Sequence, residues 1–208
     1  MVKDKETRKK LLDSAKQEFL EKGYMKASLR TICKNAGVTT GALYFFFQDK
    51  EDLLKQLVEE PLKGLISKVE SHFLDEMNMG SAVISVHDDS SDIKASKEIV
   101  HFMYQNYDIF QILLTKSQGS AYEDIVSRFA DGIEEHYNRL AEQMTGKFGI
   151  RKPDQYMIHW LSHIQIDAFI HLLTHEPDEE KAVRHMEEIV VYLVSGWNGL
   201  FSCDRKML

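Results

Sequence analysis

The sequence predicts an all-α fold, a three-helix N-terminal head followed by a larger helical body. Three observations carry this. Apolar residues recur at helical spacing along most of the chain, and no stretch shows the convincing alternation of a strand. Only three of the 208 residues are proline, and the broad use of Leu, Ile, Met, Lys and Glu favours helix over sheet. Between residues 23 and 50, glycine, serine and threonine fall where short helices must start and stop.

In order, Leu11, Leu12, Ala15, Phe19 and Leu20 predict a first helix over about residues 5–22, stopped by Gly23. Ser28 caps a second helix that runs through Ile32 to Ala36 and ends at Gly37. Thr39 or Thr40 caps a short third helix that carries the aromatic run Tyr44-Phe45-Phe46-Phe47. Asp49 caps a fourth, with Asp52 in the position of a capping-box acid. Pro61 lies about three turns into that helix and predicts a kink or break there.

The stretch "MGSAVISVHDDSSD" (residues 79–92) reads as an irregular connection. Helices are expected again over 93–107, 108–116 and 121–144, and "GKFGIRKPD" interrupts the pattern. Two further helices are expected over about 153–174 and 177–203, with Pro153 and Pro177 in their first turns. The division of the chain is therefore a head over 1–52 and a body over 53–208.

Three short helices with "NAGVTT" between the second and third make a helix-turn-helix in outline. Gly37 supplies a left-handed turn residue and Val38 a buried one. The third helix opens on Thr39-Thr40-Gly41, small enough to approach the floor of a DNA major groove. Leu43 and Phe47 share a face suited to core packing. Phe45 and Phe46 suit either core or surface. Tyr44 lies off the core face, where its hydroxyl can reach a phosphate, and Lys50 offers a second phosphate anchor. Core packing and a solvated helix residue are the alternatives for Tyr44 and Arg30.

On these residues the chain resembles the TetR family of transcriptional regulators. The likeness rests on Arg8, Leu12, Ala15, Phe19 and Gly23-Tyr24, then Ser28, Arg30 and Ile32, then Ala36-Gly37-Val38, Gly41-Ala42-Leu43-Tyr44, Phe47 and Lys50-Glu51. It covers about 50 residues. The resemblance implies a homodimeric, all-helical regulator that binds a pseudo-palindromic operator in double-stranded DNA. It implies a repressor or an activator controlled by a small-molecule effector that the body would bind, with the last two helices pairing in a dimer; a repressor released by its effector is the expected case. It places Ser28 and Lys50 on phosphates and Arg30, Thr39, Thr40, Gly41 and Tyr44 at or beside the bases.

The body offers less. Tyr104, Tyr107 and Phe110, with His163 and Asp167, are candidates for an effector pocket, although aromatics at such spacing also serve as plain core. His159, His163, Asp167, His171 and His175 recur every four residues on a helix whose other positions are apolar almost all round, so the helix is expected to be buried on most sides. The histidines suit hydrogen-bonded core or interface positions, the polar edge of a pocket, or an i, i+4 metal pair. The last helix carries an apolar stripe through Val183, Met186, Val190, Trp197 and Phe201, with Gly196 and Gly199 allowing close approach. Two successive helices this apolar predict a dimer surface, with a larger intrachain core as the alternative.

Charge supports contact with DNA at one end only. Residues 1–52 hold 11 Lys and Arg against 8 Asp and Glu, whereas 53–208 hold 15 against 25. The charged N-terminus and the absence of a long apolar run predict neither a signal peptide nor a membrane span, and the two cysteines fit a reducing cytoplasm. No enzyme, cofactor or metal signature is found. A di-iron bundle needs two Glu-x-x-His motifs, and only Glu98–His101 fits. A co-regulator whose helix-turn-helix touches only protein is the other rival, distinguished by DNA binding that falls steeply with salt.

Overall fold

In the computed structural model, which describes residues 2–79, 89–148 and 151–202, those residues fold into nine helices with no strand among them. They are α1 (Val2–Lys26), α2 (Leu29–Ala36), α3 (Thr40–Phe46), α4 (Lys50–Met79), α5 (Ser90–Gln105), α6 (Tyr107–Thr115), α7 (Ile125–Phe148), α8 (Gln155–His175) and α9 (Glu179–Ser202). The chain divides into two compact units. One comprises residues 1–64 and 106–125, the other 65–105 and 126–208. The first unit thus takes in the start of α4 and all of α6, beyond the 1–52 head. α4 supplies residues to both.

The first unit is built around Leu11, Ala15, Phe19, Ile32, Leu43, Phe47, Leu53 and Leu54, each with almost no solvent exposure. These are the apolar positions of α1 to α4 that helical spacing aligns on one side. Gly23 ends the regular part of α1 in an extended, positive-φ conformation open to glycine (φ 71°, ψ 162°). The chain there meets the loop after α6, with the Tyr24 amide donating to the Lys116 carbonyl at 2.9 Å.

The second unit packs α5, α7, α8, α9 and the C-terminal part of α4. Val100, Leu172, Ala182, Met186 and Val190 form one cluster, and Leu140, Ala141, Met144, Ile158, Trp197 and Phe201 another. A third joins Ala130, Ile133 and Ile166 to Phe73 of α4.

Several boundaries differ from the sequence reading. α4 neither breaks nor ends at Pro61 but continues to Met79. A proline inside a helix costs about 3 kcal/mol, and burial of Val58, Leu62 and Leu65 on either side of it offsets that cost. Residues 80–88 of the expected connection lie outside the described residues, and α5 already begins at Ser90. α7 starts at Ile125 rather than Ala121, because Ser117 and Ser120 hold a turn. The Ser117 hydroxyl lies 2.8 Å from the Leu113 carbonyl and the Ser120 hydroxyl 2.6 Å from the Ser117 carbonyl. Pro153 and Pro177 precede their helices. Asp154 and Asp178 do the capping, accepting from the Met157 amide at 2.9 Å and the Lys181 amide at 3.0 Å. Among the described residues, no helix is long and apolar enough to cross a membrane.

Candidate nucleic-acid interface

The turn between α2 and α3 is set by local hydrogen bonds. Ser28 caps α2, its Oγ accepting from the Thr31 amide at 3.4 Å. Its own amide donates to the buried Glu18 carboxylate at 3.0 Å, which fixes the start of α2 against α1. The end of α2 is a Schellman motif. Gly37 takes φ 67° and ψ 32°, its amide bonds the Lys34 carbonyl at 3.2 Å, and the Val38 amide bonds the Cys33 carbonyl at 3.0 Å. Thr39 then caps α3, accepting from the Ala42 amide at 3.2 Å.

This frame sorts the side chains of α3. Leu43 and Phe47 are buried, whereas Thr39, Thr40, Gly41 and Tyr44 are exposed, as is Arg30 on α2. Thr40 and Tyr44 are one turn apart and so share a face. Tyr44 leaves 55% of its surface in solvent. Phe45 is more open still, at 76%, with Phe46 packed edge-on against it at 4.9 Å. The sequence left Phe45 undecided. Its spacing of four from Gly41 is the signal that puts it beside the exposed row. Ser28 is half-buried behind that row.

Lys50 stands apart. Its Nζ lies 2.7 Å from the Tyr24 carbonyl oxygen, 3.3 Å from that of Met25 and 3.4 Å from that of Ala27, and 4.4 Å from the centre of the Tyr24 ring. An ammonium has three donors, and three carbonyls of the α1 terminus meet them. The Tyr24 hydroxyl in turn donates to Glu51 at 2.6 Å, and Glu51 accepts the Ala121 amide at 3.1 Å. Burial, with the neighbouring Glu51 carboxylate, pushes the Tyr24 hydroxyl above the usual tyrosine range. Lys50 and Tyr24 thus hold the end of α1 in place behind the helix-turn-helix.

At the start of α4, Asp49 accepts the Asp52 amide at 2.8 Å, and Asp52 reaches back to accept the Gln48 amide at 2.9 Å. The Gln56 side-chain amide also donates to Asp52 at 3.0 Å. These bonds, that from Gln56 first, hold the Asp52 carboxyl below the usual carboxylate range.

The five residues considered for an effector pocket are divided. Tyr107 and Phe110 belong to the first unit, where Phe110 is fully buried. Tyr104, His163 and Asp167 belong to the second. Tyr104 ties α5 to the end of α8, its hydroxyl donating to the carbonyls of Leu172 (3.2 Å) and Glu176. Asp167 is exposed. α8 is also more open than its apolar sequence suggests. Tyr156 and Trp160 are exposed, as are His159, His171 and His175. His159 pairs with Glu134 of α7 at 2.7 Å and rests near the His163 ring, and His171 stacks on His175 at 4.1 Å. His159, His171 and His175 are surface histidines rather than core ones, and His163 is half-buried.

Two short helices joined by a glycine turn, with the polar start of the second facing solvent on a rigid three-helix frame, define a helix-turn-helix protein. Residues 11–57 match the sequence model of the family described as bacterial regulatory proteins, tetR family. That segment, under a quarter of the chain, is similar to the family's N-terminal helix-turn-helix region. It is 45% identical over 53 residues to the HTH-type transcriptional repressor BepR of Brucella suis, covering 26% of this chain and 25% of that one. It is 32% identical over 82 residues to the HTH-type transcriptional regulator UidR of Escherichia coli K12, covering 34% and 39%. The match therefore spans well under half of these curated relatives. A crystal structure from Syntrophomonas wolfei, assigned to TetR-family transcriptional regulators, is similar over 92% of this chain and 96% of its own, with TM-score 0.57 and 27% identity.

Proposed function

We propose that this chain is a sequence-specific DNA-binding transcriptional regulator, a cytoplasmic repressor and not an enzyme, released from a pseudo-palindromic operator by a small-molecule effector. The observation that carries this reading is the exposed row Arg30, Thr39, Thr40, Gly41 and Tyr44 on a frame held by the buried Leu43 and Phe47. Thr39 also caps α3, yet all five stand open to solvent and include the types that read base edges and phosphates. Arg30 and Thr40 read bases, Thr39 and Ser28 hold phosphates through their hydroxyl protons, and Tyr44 spans sugar and phosphate. Lys50 supports this face from behind.

The working unit is a homodimer through α8 and α9. The apolar stripe of α9 serves the intrachain core, since Met186, Val190, Trp197 and Phe201 are buried. What supports the dimer is a different set: Tyr156 and Trp160 on α8, and Val191 and Tyr192 on α9, large apolar side chains left in solvent. Gly196 and Gly199 add an open backbone, with nothing within 4 Å of a Cβ at either. A dimer presents two recognition helices to half-sites about 34–36 Å apart. Effector binding acts by changing that spacing, with α4 as the lever because it supplies residues to both units.

The test is fluorescence anisotropy with DNA from upstream of the chain's own gene and from a random-pool selection, at several salt concentrations. Selective binding whose affinity falls steeply with salt is expected. Equal, weak binding to every DNA, selected or not, would refute the reading.

A further inference from the structure

The second unit contains a cluster that the helix-turn-helix does not use. His72 and Glu76 lie one turn apart on α4, and Asp92 stands in the first turn of α5. One donor atom from each lies within 4.8 Å of the other two. His72 Nε2 is 3.5 Å from Glu76 Oε2 and 3.3 Å from Asp92 Oδ1. The three side chains are 13%, 14% and 16% exposed, far less than surface ion pairs such as Lys63–Glu59. A fourth residue, His136 of α7, is 4% exposed, and its Nε2 lies 2.7 Å from the same Glu76 oxygen. Its ring stacks face to face on Phe73, with centres 3.8 Å apart and planes within 3°.

We propose that His72, Glu76 and Asp92 form a binding site for a divalent transition-metal ion of the zinc class, with His136 orienting Glu76. The argument stands on geometry and donor chemistry, independently of the DNA-binding reading. Ligands at about 2.0–2.1 Å from a tetrahedral ion sit roughly 3.3 Å from one another. The two distances from His72 Nε2 match that edge. One imidazole and two carboxylates are a nitrogen and oxygen set suited to zinc, nickel, cobalt or manganese, with the fourth position left to water. His136 does what outer residues do at such sites, fixing the ligating carboxylate by a hydrogen bond, while Phe73 fixes His136. Filling the site would pin α4 to α5 and, through His136, to α7. Burial opposes charge on His72, but the Asp92 hydrogen bond and the Glu76, Asp92 and Asp75 carboxylates outweigh this and raise its pKa.

The test uses the full-length, tag-free protein, stripped with a chelator, returned to chelator-free buffer and titrated with Zn²⁺ and separately with Co²⁺. Expected are one ion per chain by calorimetry, a higher unfolding temperature, and a visible Co²⁺ absorption band of low-symmetry, four-coordinate type. His72→Gln and Asp92→Asn should each weaken binding at least about tenfold, and His136→Gln about 10–100-fold. Asp92→Asn keeps shape at a helix start and serves if His72→Gln fails to fold. Paired changes His159→Gln/His163→Gln and His171→Gln/His175→Gln should leave the affinity unchanged. No one-site binding of either ion, binding that survives Asp92→Asn, or binding lost with a surface pair would each overturn the proposal.

Discussion

The ammonium of Lys50 lies 2.7 Å from the carbonyl oxygen of Tyr24 and 4.4 Å from the centre of its ring. One side chain thus caps the end of α1 from the start of α4, two elements that must be held in register for α2 and α3 to present an outer face. Lys50→Met should destabilise the first unit by roughly 1–2 kcal/mol, since hydrogen bonds from a charged group contribute about 1.5–3 kcal/mol and this one is partly solvated. The salt dependence of DNA binding separates clamp from phosphate anchor. Loss of a phosphate contact lowers the slope by about one, whereas loss of the clamp leaves the slope unchanged. An unchanged slope with lower thermal stability is expected.

Arg30→Ala, Thr40→Ala and Tyr44→Phe should act oppositely. All three side chains are exposed, and Thr40 adds only a weak hydrogen bond to the buried Cys33 thiol, so unfolding should shift by less than about 0.5 kcal/mol. Arg30→Ala should cost about 1–3 kcal/mol in operator affinity and relax the preference at one base pair. Normal stability with normal operator affinity in all three variants would contradict the assigned face.

Gly37 isolates a backbone effect. No atom lies within 4 Å of a Cβ placed there, so Gly37→Ala creates no clash. Its φ of 67° remains, and a left-handed alanine costs about 1–2 kcal/mol. Chemical denaturation should show that loss, with Gly37→Asn closer to the wild type because asparagine tolerates this region.

Asp52 gives a pH signature. Its folded pKa lies below the ordinary value of 3.8, so the folded state favours the carboxylate. The resulting stability is present above that value and disappears as pH falls through the lower folded one. The difference in unfolding temperature between wild type and Asp52→Asn should therefore be largest at neutral pH and shrink on the acid side of about pH 4.

Trp160 and Tyr192 test the oligomer. Trp160→Glu or Tyr192→Glu adds charge to exposed apolar sites and should leave folding intact. Light scattering should report the wild type as a dimer at micromolar concentration and each variant as a monomer, with operator affinity falling accordingly.

The helix-turn-helix was legible in the sequence because its determinants are local. Ser28, Gly37, Thr39, Asp49 and Asp52 act on amides or carbonyls within five residues, and each does in the structure what its type and spacing predict. The exposed face of α3 follows equally from helical periodicity. What only the tertiary structure decided are pairings between residues distant in the chain. The Lys50 ammonium reaches the carbonyls at the end of α1, 23 to 26 residues away, a contact that no local pattern announces. Pro61 stays helical because burial on both sides outweighs the lost hydrogen bond. α8 read as a buried helix, yet its second apolar side faces solvent. The metal-type cluster was invisible because a His and a Glu four apart mean little until Asp92 and His136 arrive from other helices. Local chemistry fixes where helices begin and end, whereas the partner of a long side chain depends on which distant backbone the fold brings within its reach.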